Sequence, residues 1–299
     1  MRTWRRSHEI GPGRLSFYPI RVTTLSFVPL VLAGSFVAGL LGALTGLGGG
    51  VVIVPLLVVA FHVNIKYAIG ASLISVIATS SGAAAAYVRE GFSNIRIAMF
   101  LEIATTLGAL FGAFLAARLA AGIIAIVFGG VLVCSSALSM RRRHEGKFSA
   151  PADRWATRLN LNSSYPTAHG PESYEVCRVP AGFGMMFGAG TLSGLLGIGS
   201  GAFKVLAMDQ VMRIPFKVST TTSNFMIGVT AAASAGIYLR RGFVAPGLVM
   251  PVVLGVLMGS VLGTHVLVRA KTRLLRIIFA VVIAALGIEM VYGGITGRF

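Results

Sequence analysis

Charge is scarce in this sequence. Of 299 residues only 12% are charged, about half the share of a soluble globular chain. A chain so poor in charge cannot cover its own surface with polar groups, which excludes water as the solvent for most of it. Acidic residues are scarcest: Asp and Glu number 9 against 26 Lys and Arg, giving a formal net charge of +17. In a soluble protein that excess would suggest nucleic acid. Here no basic soluble domain exists to carry such binding, and Lys and Arg lie between and beside apolar runs, where they read as topology signals and lipid-headgroup contacts. Nucleic acid is therefore not an expected partner. Cysteine is nearly absent too. Cys134 falls in an apolar run and Cys177 in a polar stretch, which speaks against a disulfide framework. The five histidines are scattered, so no metal site is indicated and no cofactor is expected. Gly-x-Ser-x-Gly, His-Glu-x-x-His and a Walker loop are all missing, so the sequence offers neither an enzyme constellation nor a nucleotide site.

What is present is apolar: 55% hydrophobic residues and 38 glycines. Apolar runs of about 20 residues recur, the length a helix needs to cross the hydrocarbon core. They are continuous rather than alternating, which favours helices over a barrel. The expected fold is an all-α polytopic membrane protein whose main partner is the lipid bilayer. Residues 1–22 form a basic cytoplasmic N-terminus and 23–140 a first transmembrane repeat. Residues 141–180 form a polar, exposed cytoplasmic linker, and 181–299 a second transmembrane repeat. The first apolar run continues past Gly39, longer than a signal-peptide core, and reads as a retained helix.

The second half copies the first at an offset of 151 residues without a gap. Gly46, Gly48 and Gly50 fall on Gly197, Gly199 and Gly201; Ser72 falls on Ser223, Thr79 on Thr230, and Tyr87 on Tyr238. Transporter folds are commonly duplicated in this way, with the substrate site at the repeat interface. Each repeat is read as about four spans plus a glycine-broken, re-entrant half-helix: Val51 to Val63 in the first, Ala202 to Met212 in the second. With both repeats facing the same way, the Arg-rich head, Arg89, Arg96, Arg141 to Arg143, Arg240 and Arg241 share one side, the cytoplasm by the positive-inside bias. That arrangement leaves Arg269, Lys271, Arg273 and Arg276 facing out. If the short pieces crossed instead, the repeats would be inverted and the 141–143 cluster would lie outside.

Three features could do chemistry. Gly46, Gly48, Gly49 and Gly50, and their mates Gly197, Gly199, Ser200 and Gly201, interrupt apolar segments. Glycine costs a helix about 1 kcal/mol against alanine, so such clusters favour an unwound loop. Its N–H groups and the following half-helix could cradle an anion; the other reading is close helix packing. Next, Ser72, Thr222, Ser223 and Asn224 sit in the helix after each loop and could solvate an oxyanion, or the hydroxyls could bond back to their own helix. Last, ionisable residues occur inside apolar segments: Glu102, Lys204, Asp209, His265 and Glu289, none with an ionisable repeat mate. Lys204 follows the second glycine loop and could hold an anion, or snorkel to an interface. Glu102, paired by the repeat with Val253, could couple transport to protons or make a structural hydrogen bond.

At the doubled loop the sequence resembles a known family. Residues 42–57, Gly-Ala-Leu-Thr-Gly-Leu-Gly-Gly-Gly-Val-Val-Ile-Val-Pro-Leu-Leu, are similar to the first signature of the TauE/SafE sulfite exporters; Gly194 to Gly201 with Lys217 to Asn224 resembles the second. The resemblance covers about Leu32 to Gly294. It implies an inner-membrane transporter of sulfite, sulfonates or related organosulfur anions. Leu206 stands where the first copy has Pro55, and Ser200 interrupts the second glycine run, so the two cradles differ. The expected function is secondary, outward transport of a small anion; a passive anion channel and a membrane-embedded enzyme or scaffold are the rivals. Substrate, coupling ion and oligomeric state stay open at this level.

Overall fold

The structure is a computed structural model that describes residues 24–45, 49–89, 93–140, 153–167, 170–267 and 272–298. The apolar runs are helices. In the first half these are α1 (Thr24–Thr45), α2 (Gly50–Pro55, prolonged by a π-helical turn, Leu56–Ala60), α3 (Ile65–Arg89), α4 (Ile95–Arg118) and α5 (Ala121–Met140). The 141–180 region contributes a short helix, α6 (Arg154–Arg158), and an antiparallel hairpin of β1 (Ser163–Thr167) and β2 (Gly170–Tyr174). The second half follows as α7 (Val179–Leu196), α8 (Gly201–Leu206, with a π turn at Ala207–Val211), α9 (Phe216–Arg240), α10 (Pro246–Leu267) and α11 (Thr272–Ile295). From α2 onward, each element of the second half starts 151 residues after its counterpart.

Local chemistry marks the boundaries. Asn94 caps α4 by accepting the Ile97 N–H through its side chain. Pro180 in the first turn of α7 and Pro246 at the start of α10 occupy positions where a missing N–H is harmless. Gly197, left-handed at φ +70°, ends α7.

Helices pair across the halves. α1 packs on α10 and α4 on α7, each pair running parallel. In the latter, Gly108 and Gly112 lie against the backbone of Phe187 and Thr191, while Gly190 and Gly194 lie against Thr105 and Ala109. With no side chain between them the backbones approach closely, as membrane helices do through small residues. The opposite face of α4 is an apolar stripe, Met99, Ile103, Leu107 and Phe111, each more than half exposed. The same stripe recurs on α10 as Met250, Leu254, Met258 and Leu262. These are surfaces suited to lipid tails.

The contacts correct the expected direction of the halves. α3 and α9 are antiparallel: Tyr67 stacks edge-on with Phe243 and Gly70 meets Phe243, whereas Ser80, further along α3, meets Gly228, earlier in α9. α5 and α11 are antiparallel as well, with Gly122 on Gly294, Gly129 on Gly287, and Ser136 Oγ donating to the Ala280 carbonyl at 2.8 Å. The reason is a hairpin. Phe27 packs on Phe61, Gly34 on Leu56, and Gly39 near Gly49, so α2 returns alongside α1 to the end where α1 began. The α1–α2 hairpin makes no net crossing, and three long helices remain to traverse the bundle. An odd number of traverses puts the start of α1 and the end of α5 at opposite ends of the bundle; residues 1–22 lie outside the described residues.

The linker also differs from an exposed tether. Ala156, Leu161, Tyr174 and Val176 are buried against Ile97, Leu101, Met186 and Met212. Asn94 Nδ2 donates to Tyr174 Oη (2.8 Å) and the Leu161 carbonyl (3.1 Å), and Asp153 accepts the Val179 N–H. Residues 153–178 thus form a small folded cap over the starts of α4 and α7, and its hairpin adds two strands to an otherwise helical protein.

Candidate functional site

The chain breaks twice, between Thr45 and Gly50 and between Leu196 and Gly201. Gly46 and Gly48 lie outside the described residues. In the second break Gly197, Gly199 and Ser200 have φ of +70°, +68° and +47°, so this cluster is unwound rather than a packing stripe. Glycine adopts such angles freely, whereas Ser200 is strained by about 1–2 kcal/mol. The start of α2 meets the second break. Ser72 Oγ donates to the Gly197 carbonyl at 2.7 Å and faces the Gly50 carbonyl at 3.5 Å. A Cβ on Gly50 would lie 2.8 Å from Ser72 Oγ and 3.1 Å from the Gly197 oxygen, so only glycine fits there. In the other half Ser223 Oγ donates to the Gly201 carbonyl at 3.3 Å.

Beside the second break lies a buried polar cluster. Lys204 projects from α8 with no exposed surface, and its Nζ donates to Thr230 Oγ1 on α9 at 2.5 Å. Thr230 Oγ1 in turn donates to Glu102 Oε1 on α4 at 2.7 Å, and Thr106 supports the same oxygen at 3.2 Å. Glu102 is 8% exposed and its Oε2 has no hydrogen-bond partner among the described residues. Lys204 therefore does not snorkel. Its ammonium is answered by a carboxylate through one hydroxyl, the pairing that makes two buried charges tolerable in an apolar interior. At the repeat-equivalent positions stand Ile53, Thr79 and Val253, so the first half has no such charge pair.

The proposed residues divide. Gly49, Gly50, Ser72, Gly197, Gly199, Ser200, Gly201 and Ser223 gather where the start of α2 meets the second break, with Lys204 and Glu102 alongside. Ser200 Oγ is buried and unpartnered, and it lines a cavity of about 10 Å³ with Ser135 and Gly201, room for about one water. Thr222 points elsewhere: its hydroxyl accepts the Asn94 N–H at the capped end. Asn224 is only partly buried and takes no part in the hydrogen bonds of the break. Among the other ionisable residues, Glu289 is exposed 3.7 Å from Arg298, Asp209 is partly exposed, and the His265 side chain lies outside the described residues.

Two further residues take part. Thr230 was legible as the mate of Thr79, yet a stronger signal was its place on one helical face with Ser219, Ser223 and Ser234, all buried. Tyr238 Oη donates to the Gly194 carbonyl at 3.2 Å, satisfying a carbonyl in the last turn of α7 next to the break. No group of three His, Cys, Asp or Glu that could hold a metal ion occurs among the described residues.

Residues 31–290 match the family described as Sulfite exporter TauE/SafE. The chain is 28% identical over 278 residues to the probable membrane transporter protein YunE of Bacillus subtilis, covering 91% of this chain and 99% of that protein. It is 24% identical over 281 residues to the probable membrane transporter protein MJ0441 of Methanocaldococcus jannaschii, covering 89% and 96%. A similar relative in Xylella fastidiosa, also a probable membrane transporter protein, is 26% identical over 275 residues, covering 91% and 97%. No solved structure matches the chain.

Proposed function

Because the chain belongs to the sulfite exporter TauE/SafE family, we propose that this membrane transporter is a multi-pass inner-membrane protein that moves a small organosulfur oxyanion, sulfite or a sulfonate, outward by secondary transport. One observation carries the reading: the buried Lys204 ammonium next to an unwound break that meets the start of α2, Gly197 against Gly50 through Ser72. A buried ammonium beside left-handed backbone and the unpartnered Ser200 hydroxyl suits a compact anion, and irregular backbone at membrane depth is tolerated where it is enclosed by protein or lines a cavity. The substrate would contact Gly197, Gly199, Ser200, Gly201 and Lys204 from the second half, with Gly49, Gly50 and Ser72 closing the opposite wall.

The shared 151-residue offset and the antiparallel pairing of α3 with α9 support an internal duplication of inverted halves, each a re-entrant hairpin followed by three spans. Arg96 and the helix ends that lead into Arg141 to Arg143 and out of Arg269 and Lys271 lie at the end that carries the cap, whereas Arg240 and Arg241, expected on the same side, lie at the other. The end that carries the cap faces the cytoplasm in this reading.

Flux of labelled sulfite into proteoliposomes holding the purified chain tests the reading. Saturable uptake inhibited by unlabelled sulfonate is the expected result. Absence of protein-dependent flux for sulfite and for sulfonates alike would reject it.

A further inference from the structure

Resting on that reading of the site, the Lys204–Thr230–Glu102 chain says how transport is coupled. We propose that the Glu102 carboxylate and the substrate anion take turns as counter-charge to Lys204, so that one proton travels with each anion in the same direction and export is driven by the anion's own outward concentration gradient, not by an acid-outside pH gradient.

The geometry supplies each part. Lys204 Nζ carries three N–H donors, and among the described residues it spends one, on Thr230 Oγ1. Two remain for an oxyanion arriving through the break that ends three residues before it. Glu102 receives its hydrogen bonds from Thr230 and Thr106 on Oε1, while Oε2, buried and unpartnered, is the oxygen left to accept a proton. Thr230 is the hinge of the exchange. Its hydroxyl donates to Glu102 and is also 2.9 Å from the Met226 carbonyl, so it has an alternative acceptor once the carboxylate is neutralised.

With Lys204 charged, charge balance favours the exchange. With Glu102 ionised and no anion, the site holds one positive and one negative charge. With Glu102 protonated and a monovalent anion on Lys204, it holds the same. The two other combinations, a lone ammonium or an ammonium facing two anions, leave one net charge buried, which an apolar interior resists. In the helices packed around Glu102 no other charge can take over. α7 has no ionisable residue after its first turn. On α4 Arg96 and Arg118 lie near the two ends, on α9 Lys217 and Arg240 do the same, and Asp209 sits on the π turn beyond α8. The first half cannot substitute, because Ile53 and Val253 hold the equivalent places.

The test uses the full-length chain in proteoliposomes with isethionate, a sulfonate whose charge does not change with pH, and with sulfite in parallel. With the membrane potential clamped at zero, an acid-outside gradient should drive accumulation of isethionate, rising about tenfold per pH unit for a one-to-one stoichiometry, and a potential alone should drive none. Glu102→Gln mimics the protonated acid permanently. It should abolish pH-driven accumulation and keep exchange of labelled for unlabelled anion at equal pH, which also shows that the variant is folded. Glu102→Asp should keep pH-driven accumulation at a reduced rate. Accumulation by Glu102→Gln equal to the parent, or accumulation by the parent under potential alone, would overturn the coupling and leave the transport reading standing. Absence of exchange by the parent with both anions would overturn the transport reading and this inference with it.

Discussion

Ser72 Oγ donates to the carbonyl of Gly197 at 2.7 Å across 125 residues of chain, and that one hydrogen bond ties a helix of the first half to the broken helix of the second. It is buried on both sides, so its removal leaves a buried carbonyl with one partner fewer. Ser72→Ala should lower stability by about 1–3 kcal/mol, read as a drop in the midpoint of thermal unfolding in detergent. An unchanged midpoint would mean the start of α2 and the second break are held together by packing alone.

Gly197 itself has a left-handed φ of +70°, and an added Cβ would lie 2.8 Å from Ile69 Cγ2. Gly197→Ala should therefore destabilise by at least the left-handed penalty of about 1–2 kcal/mol, while Gly188→Ala, with nothing within 4 Å, should be neutral or slightly stabilising. Equal melting of the two variants would contradict the described backbone.

The α4–α7 seam makes a separate demand. Gly112 lies against the Thr191 carbonyl, so Gly112→Ala must push two backbones apart. Overpacking of this kind costs about 1–3 kcal/mol. Yield and melting of Gly112→Ala beside Gly130→Ala, where a methyl meets nothing within 4 Å, would measure it; similar behaviour would show that the seam is loose.

Lys204→Met keeps the apolar stem and removes the charge. If the ammonium holds the substrate, apparent affinity should fall about tenfold or more, equivalent to roughly 1.4 kcal/mol, in a flux titration corrected for protein amount. Wild-type affinity in a well-expressed variant would make Lys204 a partner of Glu102 and nothing more.

Orientation is open to impermeant maleimide in whole cells, using a background with Cys134 and Cys177 replaced. A cysteine at the exposed Ser164, in the cap, should resist labelling, and one at the exposed Thr296, at the opposite end, should react. Equal reactivity at the two would contradict the antiparallel halves, and the reverse pattern would put the cap outside.

Much of this protein was decided locally. Uninterrupted apolar runs must close their own backbone hydrogen bonds, so the helices were readable from composition and length. The glycine runs were readable as breaks for the same local reason, and the 151-residue repeat showed that they come as a pair. Lys204 and Glu102 stood out singly, since each is an ionisable residue in an apolar segment without a mate. That they serve one site was not readable: they stand 102 positions apart with three helices, α5, α6 and α7, between their own, and the hydroxyl joining them belongs to a third element, α9. The direction of the halves was not local either. It depends on whether α2 returns beside α1, a matter of packing between Gly34, Gly39, Gly49, Leu56 and Phe61 that no hydropathy pattern encodes. The linker's polarity hid a few buried apolar residues, among them Ala156, Leu161, Tyr174 and Val176, too few for a core of their own but enough to dock on α4 and α7. Sequence determined which segments are helical and where they must break, because backbone satisfaction is a short-range constraint; tertiary packing alone decided which charges face each other, because that follows from how helices far apart in the chain are brought together.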